Sequence, residues 1–454
     1  MAELATNRRG EDDEEQELQV MQDEEDEEGV GANHTLKLNP ANIVIKSEIF
    51  CLAFSDDGRF LLACCGDGIV RVLNPHTGVV ISVLVSRRER DRRTSYGKAV
   101  EPSGRNTAGN KRSSSILDGI ELPCTCAAFR PHNKRGEKTN GVALIGYSHG
   151  EIQLWHVPSA KILHRQAVPP DESAQKPIGT RRRSLSSLPK REPKTDEGGN
   201  DDVADVPIGA EVLCCAFSSD GDFFAAGASD GVLRVYSDNT RDLLVELKPG
   251  IARGSGHSSR IFSVKFHPDD PNVIVSGGWD KCVHVWDIER ETVVSTIFGP
   301  HVCGDAIGVI GRTIVTGSWR DESQASLEAW DIDSGKASGP SFWSGHGKGA
   351  LLQQGWGRRC RLYAAGFGGP EGARGKFLAA GGGEGANEVF DFFNDRRLIG
   401  SLLGLSAGVI SLSFSPEGRQ LAVGLANGHV HLVDIESTSE VPQESSGGKT
   451  IMVF

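Results

Sequence analysis

Between Glu48 and Ile435 the apolar residues recur in short runs, many alternating with polar ones, and Gly, Asp and Asn punctuate them. SGGWDKCVHVWDIE, Ser276 to Glu289, shows the unit. A run of small residues ends in a Trp-Asp-Lys turn, and Val283, Val285 and Trp286 then lead to Asp287. A period of two bounded by turn residues predicts paired strands rather than helices. The template sets a polar turn residue six positions ahead of a large apolar one. It recurs at Asp67 and Leu73, His149 and Trp155, Asp230 and Tyr236, Asp280 and Trp286, Glu384 and Phe390, and Asn427 and Val433. A further copy, Asp321 to Trp330, carries about three extra residues, making seven in all. Most copies follow an apolar strand that ends in an aromatic and a turn, as in CLAFSDDG, CAAFRPHN, CCAFSSDG, VKFHPDD and LSFSPEG. From Tyr236 to Trp286 to Trp330, and from Phe390 to Val433, the copies lie about 43 to 50 residues apart, close to the ~40–45 of a four-stranded repeat.

The spacing has a local cause. Asp followed by Gly or another small residue makes the tight turn between two strands, and a residue six positions on then lies in the next strand, where its ring packs between sheets. With these features the chain resembles the WD-repeat (WD40) β-propeller family over roughly Glu48 to Ile435. The fourth copy carries the likeness best, with Gly256-His257, Ser276, Asp280 and Trp286-Asp287. The resemblance implies an all-β, seven-bladed β-propeller of four-stranded antiparallel blades. It also implies that His257, Ser276, Asp280 and Trp286 form a hydrogen-bonded structural tetrad. Closing a ring removes exposed strand edges. HTLKLNPANIVIKSE, His34 to Glu48, offers Thr35–Leu38 or Ile43–Ile45 to complete the last blade, and the terminal KTIMVF competes for that role.

Charge divides the chain. The formal net charge is -12, but Glu11 to Glu28 holds twelve acids and no bases, so the remainder sums to -12 + 12 = 0. A near-neutral body makes nucleic acid an unlikely partner, and the acidity belongs to an arm too polar to order itself. The expected organisation is a disordered acidic arm over 1–32, a propeller over 33–437, and a tail over 438–454. Two connections exceed any blade loop, 87–118 and 166–205, and both are rich in Ser, Pro, Gly and charge, hence expected to be disordered. Within the second, Arg181-Arg182-Arg183-Ser184 resembles a basophilic kinase site, and Arg183, Ser187 and Pro189 match a loose form of the motif read by 14-3-3-type phosphoserine readers. Ser184 and Ser187 are the candidate phosphosites.

The ten cysteines show no C-x-x-C pair of metal-ligand spacing, and Cys64-Cys65, Cys124, Cys126 and Cys214-Cys215 fall inside strand-like runs, as buried free thiols do. Without an apolar leader or a membrane-length run, the expected compartment is cytoplasmic or nuclear. Ser276, His257 and Asp280 are the residue types of a hydrolase triad, but their repeat positions give them a structural task, so no catalytic residue, cofactor or metal is expected. GGPEGARGK and SGGKT both miss the phosphate-loop pattern at its first glycine.

Binding is then the remaining function. In a propeller the turns between second and third strands share a face with the loops joining successive blades. Trp279, Trp319 and Arg320 fall in such turns, His301 and Asp305 in the loop between them, and Arg260 in an inter-blade connection. Trp and Arg together are the residue types that dominate protein interfaces. The expected function is a non-catalytic scaffold or adaptor that docks proteins or peptides within a multiprotein complex. The alternative is a chromatin- or nucleic-acid-associated propeller using the basic inserts.

Overall fold

The computed structural model describes residues 19–22, 34–41, 43–86, 122–131, 140–169, 209–249, 256–319, 326–336, 361–369, 376–383, 387–391 and 397–437. They form antiparallel sheets, with a single 3-10 turn at Val157–Ser159. Blade 1 runs Ile49–Phe54, Leu61–Cys65, Ile69–Leu73 and Val80–Val85, each strand beside the one before. Blade 2 runs from Cys124–Phe129 to Lys161–Ala167, blade 3 from Val212–Phe217 to Leu243–Leu247, and blade 4 from Ile261–Phe266 to Thr292–Phe298. Blade 5 comprises Ile307–Ile310, Thr313–Gly317 and Leu327–Asp331; blade 6 runs from Leu362–Gly368 to Arg397–Leu403; blade 7 holds Val409–Phe414, Gln420–Leu425 and His429–Ser437.

The first strands lie side by side in chain order, and that of blade 7 returns to that of blade 1, which closes the ring. The hydrophobic core lies between blades. One cluster joins Cys64 and Leu84 of blade 1 to Cys124 and Trp155 of blade 2, and another joins Leu233 of blade 3 to Ile261 and Trp286 of blade 4. Close approach requires glycine in the second strand. A Cβ on Gly277 would lie 2.7 Å from Ile307 Cδ1, and one on Gly227 2.8 Å from Ile261 Cγ2, each the aliphatic that opens the next inner strand.

Three expectations are corrected. Seven four-stranded blades were expected and six are seen: six sheets have four or more strands, whereas the sheet numbered blade 5 has three among the described residues. The arm expected to be disordered over 1–32 contributes Gln19–Gln22, a fifth strand paired with blade 6 from Gln19 opposite Leu403 to Gln22 opposite Gly400. The insertion placed at 166–205 starts later, because the outer strand of blade 2 runs to Ala167 and Val168 donates its N–H to Gly150. The insertion 87–118, the rest of the second, and the tail from 438 onward lie outside the described residues.

Both N-terminal candidates serve in blade 7. His34–Leu38 pairs with Val433–Ser437 and Ile43–Val44 with His429 and Val430, so an N-terminal segment supplies the outer strand of the last blade. Leu36 packs there with Ile399, Leu402 and Leu421, which ties the closure to blade 6 as well.

Candidate functional site

The fourth repeat shows what its polar residues do. Asp280 Oδ2 lies 2.9 Å from His257 Nδ1 and accepts the Ser258 N–H at 2.9 Å. The carboxylate accepts, so Nδ1 carries the proton, and His257 Nε2 accepts from the Ser276 hydroxyl at 2.8 Å. Trp286 Nε1–H donates to the same Ser276 oxygen at 2.8 Å. His257 and Ser276 are 0% exposed and Trp286 1%. Burial pushes the Asp280 carboxyl up, but the His257 hydrogen bond and the N–H groups of Ser258 and Cys282 outweigh it and hold the carboxyl below its ordinary range. A serine so enclosed offers no nucleophile to a substrate.

Neighbouring copies reach the same end with other residues. In blades 1 and 3 the turn aspartate is gripped by an arginine four positions on, Asp67 by Arg71 at 2.6 Å and Asp230 by Arg234 at 2.7 Å. In blade 4 that position is His284, whose Nδ1 lies 3.0 Å from Thr296 Oγ1 and whose pKa is lowered to about 4 by burial and by His257. In blade 5 Trp330 Nε1 donates to Thr316 Oγ1, the counterpart of Ser276. In blade 2 Glu151 takes hydrogen bonds from His149 and Gln153. Burial opposes ionisation there, yet these bonds and Arg165 lower its pKa to about 2.

His257, Asp280 and His284 bring donor atoms within 4.8 Å of one another, a spacing a divalent cation could span. Both His257 nitrogens are already committed, so a cation there would break the bonds that seat Trp286. The donor set fits a structural role better than a metal site. The cysteines are equally reserved: the nine in the described residues form no disulfide. Burial, aided by Cys126 and Asp305, pushes Cys51 up to about 12, and burial raises Cys282 and Cys303 to about 11.

The rim is built by one hydrogen bond repeated around the ring. The first residue of each second-to-third-strand turn donates its N–H to the carbonyl of a residue just ahead of an inner strand or in the loop that enters it. The pairs are Gly66 and Glu48, Ser148 and Pro123, Ser229 and Glu211, Trp279 and Arg260, Trp319 and His301, Gly383 and Arg361, and Ala426 and Gly408, all at 2.8 to 3.1 Å. Small residues, acids and a proline occupy these places on blades 1, 2, 3 and 7, while aromatics and cations gather on blades 4 to 6. Trp279 is 47% exposed. Its ring lies 5.5 Å from Phe262 and 6.5 Å from His301, and the Arg260 guanidinium sits 5.6 Å from its centroid. Trp319, half-buried, packs 4.4 Å from Tyr363 with Arg361 4.9 Å from its centroid.

Trp279, Trp319, His301 and Arg260 therefore share one rim. Asp305 does not join them. It turns to the inner strand of blade 4, accepting from Ser263 Oγ and Lys265 Nζ, both at 2.8 Å, so its place in the patch is corrected. Arg320, Ser184 and Ser187 lie outside the described residues. Arg361 was missed from sequence, although Arg361-Leu362-Tyr363 repeats the order cation, aliphatic, aromatic of Arg260-Ile261-Phe262.

Radial sheets, inner-strand closure and a His-Asp-Ser-Trp line define a β-propeller of repeated blades. The WD domain, G-beta repeat profile matches residues 41–74, 208–237 and 251–287, which fall on blades 1, 3 and 4. These are the blades whose turn aspartate is gripped by Arg71, Arg234 or His257. The Anaphase-promoting complex subunit 4 WD40 domain profile matches residues 388–454. Over those stretches the chain carries WD40-repeat sequence, and it resembles the WD-repeat family there. It is 30% identical over 100 residues to WD repeat-containing protein 1 of Gallus gallus, covering 22% of this chain and 16% of that protein. It is 26% identical over 234 residues to guanine nucleotide-binding protein subunit beta-1 of Nicotiana tabacum, covering 50% and 57%. It is 35% identical over 78 residues to the U5 small nuclear ribonucleoprotein 40 kDa protein of Homo sapiens, covering 17% and 20%. The matched stretches span less than two thirds of each relative's length.

Proposed function

We propose that this chain is a non-catalytic scaffold that captures partner proteins on the rim of blades 4 to 6. Propellers of this family generally mediate protein–protein contacts, and the named relatives include a subunit and a ribonucleoprotein component. One observation carries the reading. Trp279 stands 47% exposed with Arg260 against its ring, on a rim where blades 1, 2, 3 and 7 place small residues, acids or a proline at the same hydrogen-bonded positions. A large ring held by a preordered cation loses little conformational freedom on binding, which is why such pairs become anchors.

The connections from blade 1 to blade 2 and from blade 2 to blade 3 leave from this same rim, at Ser86 and Pro169. Phosphorylation at Ser184 or Ser187 would add a charged group to the second connection and recruit a phosphoserine reader. Free, buried thiols support a reducing cytoplasmic or nuclear setting. No helix among the described residues is long and apolar enough to cross a membrane. The test is affinity purification of the wild type beside a Trp279→Ala, Arg260→Ala, Arg361→Ala variant. Loss of the bound proteins from a variant that melts like the wild type is the expected result, and undiminished recovery refutes the reading.

A further inference from the structure

The outer strand of most blades carries a β-bulge at one place in the repeat, and the extra residue is aliphatic each time. It is Ile81 in blade 1, Leu163 in blade 2, Leu244 in blade 3, Val294 in blade 4 and Ile399 in blade 6. The first four are exposed, at 50%, 53%, 48% and 57%, whereas Ile399 is 3% exposed. Blade 6 differs in having company. Gln19–Gln22 pairs along Gly400–Leu403, and Leu36 of His34–Leu38 shares a core with Ile399. Strands from outside the repeat thus flank the one bulge aliphatic that is buried.

Blade 1 is the perimeter edge best suited to receive the same treatment. Val79, Val80, Ile81 and Val83 are 59%, 43%, 50% and 47% exposed. Val79 to Val85 reads VVISVLV, without a charge, proline or glycine. Edges that must stay unpaired carry charges, as blade 2 does with Lys161 and Arg165 and blade 3 with Glu246; the outer strand of blade 4, Thr292–Phe298, is also uncharged, but it exposes two large apolar side chains, Val294 and Phe298, against the four of blade 1. We infer that the outer edge of blade 1 docks an extended, uncharged aliphatic strand of another protein. Main-chain hydrogen bonds give such a strand its affinity, and the valine side chains select alternating aliphatic residues over charged ones. A second copy of this chain fits less well, because a six-residue edge falls far short of the about 1,200 Å² a stable dimer buries. This surface lies on the perimeter, apart from the rim patch.

The probe is the end-capped synthetic hexapeptide VTVTVT, uncharged and with alternating aliphatic residues, added to the full-length protein while amide hydrogen exchange is followed at Val80–Val85. The expected result is saturable slowing of exchange at those amides. Ile81→Lys, or independently Val83→Lys, raises the Kd at least about tenfold through lost aliphatic burial, and Trp279→Ala leaves it unchanged. No slowing at saturating peptide, or equal slowing in both lysine variants, overturns the inference. So does slowing without peptide that grows with protein concentration, which assigns the edge to a second copy. So does slow exchange released by deleting Lys449–Phe454, which assigns it to the chain's own terminus.

Discussion

Ser276 does two jobs with one hydroxyl, donating to His257 Nε2 and accepting from Trp286 Nε1. Both partners are out of water, so Ser276→Ala leaves a buried donor and a buried acceptor unmet, at about 1–3 kcal/mol each. A lower urea midpoint with an unchanged m-value is expected, and an unchanged midpoint would show that water replaces the hydroxyl. Beside it, His284 makes stability depend on pH. Its pKa is lowered from 6.5 to about 4, so the unfolded chain binds the proton more readily between those values. Stability therefore falls as pH drops from about 6.5 toward 4, by at most roughly 3 kcal/mol. Asp280, held below the ordinary carboxylate range, extends the loss to lower pH. His284→Gln is expected to flatten the upper part of that profile, measured as urea midpoint against pH. At this scale the tetrad was legible, because turn chemistry and six-residue spacing are local. Asp305 was not, because its partners Ser263 and Lys265 belong to another blade some forty positions away.

A blade is specified by its second and third strands and the turn between them, and the WD domain profile matches fall on the three blades whose turn aspartate is held by Arg71, Arg234 or His257. The second strand carries a further constraint. A Cβ at Gly227 would stand 2.6 Å from Cys214 Sγ and 2.8 Å from Ile261 Cγ2. Gly227→Ala therefore overpacks the seam between blades 3 and 4 and is expected to cost about 1–3 kcal/mol, read from thermal or urea unfolding. Inner and middle strands were readable from their period and turns. The outer strands were less so, because a bulge shifts their alternation and leaves Ile81, Leu163, Leu244 and Val294 facing water. The rim patch was half legible. Tryptophans in turns stand out in a sequence, whereas Arg361 gained meaning only when its guanidinium was seen over Trp319.

The whole molecule holds together because its N-terminal segment completes the last blade, joining residues nearly four hundred positions apart. Leu36, 2% exposed, seals blade 7 against blade 6. Leu36→Ala is expected to lose about 2–5 kcal/mol, with faster hydrogen exchange in blades 6 and 7 before blades 2 and 3. Uniform loosening would mean that closure is not local to that seam. Sequence pattern alone could not choose between His34–Leu38 and the C-terminal segment, since both are apolar and strand-like and only ring geometry tells them apart. A rigid closed ring is also what lets a few side chains on blades 4 to 6 act as a preformed docking surface. The most direct test is quantitative affinity capture with the wild type, the Trp279→Ala, Arg260→Ala, Arg361→Ala variant, and Lys37→Ala, an exposed control. The rim variant alone is expected to lose its partners while all three unfold at about the same midpoint. Equal recovery by all three would contradict this.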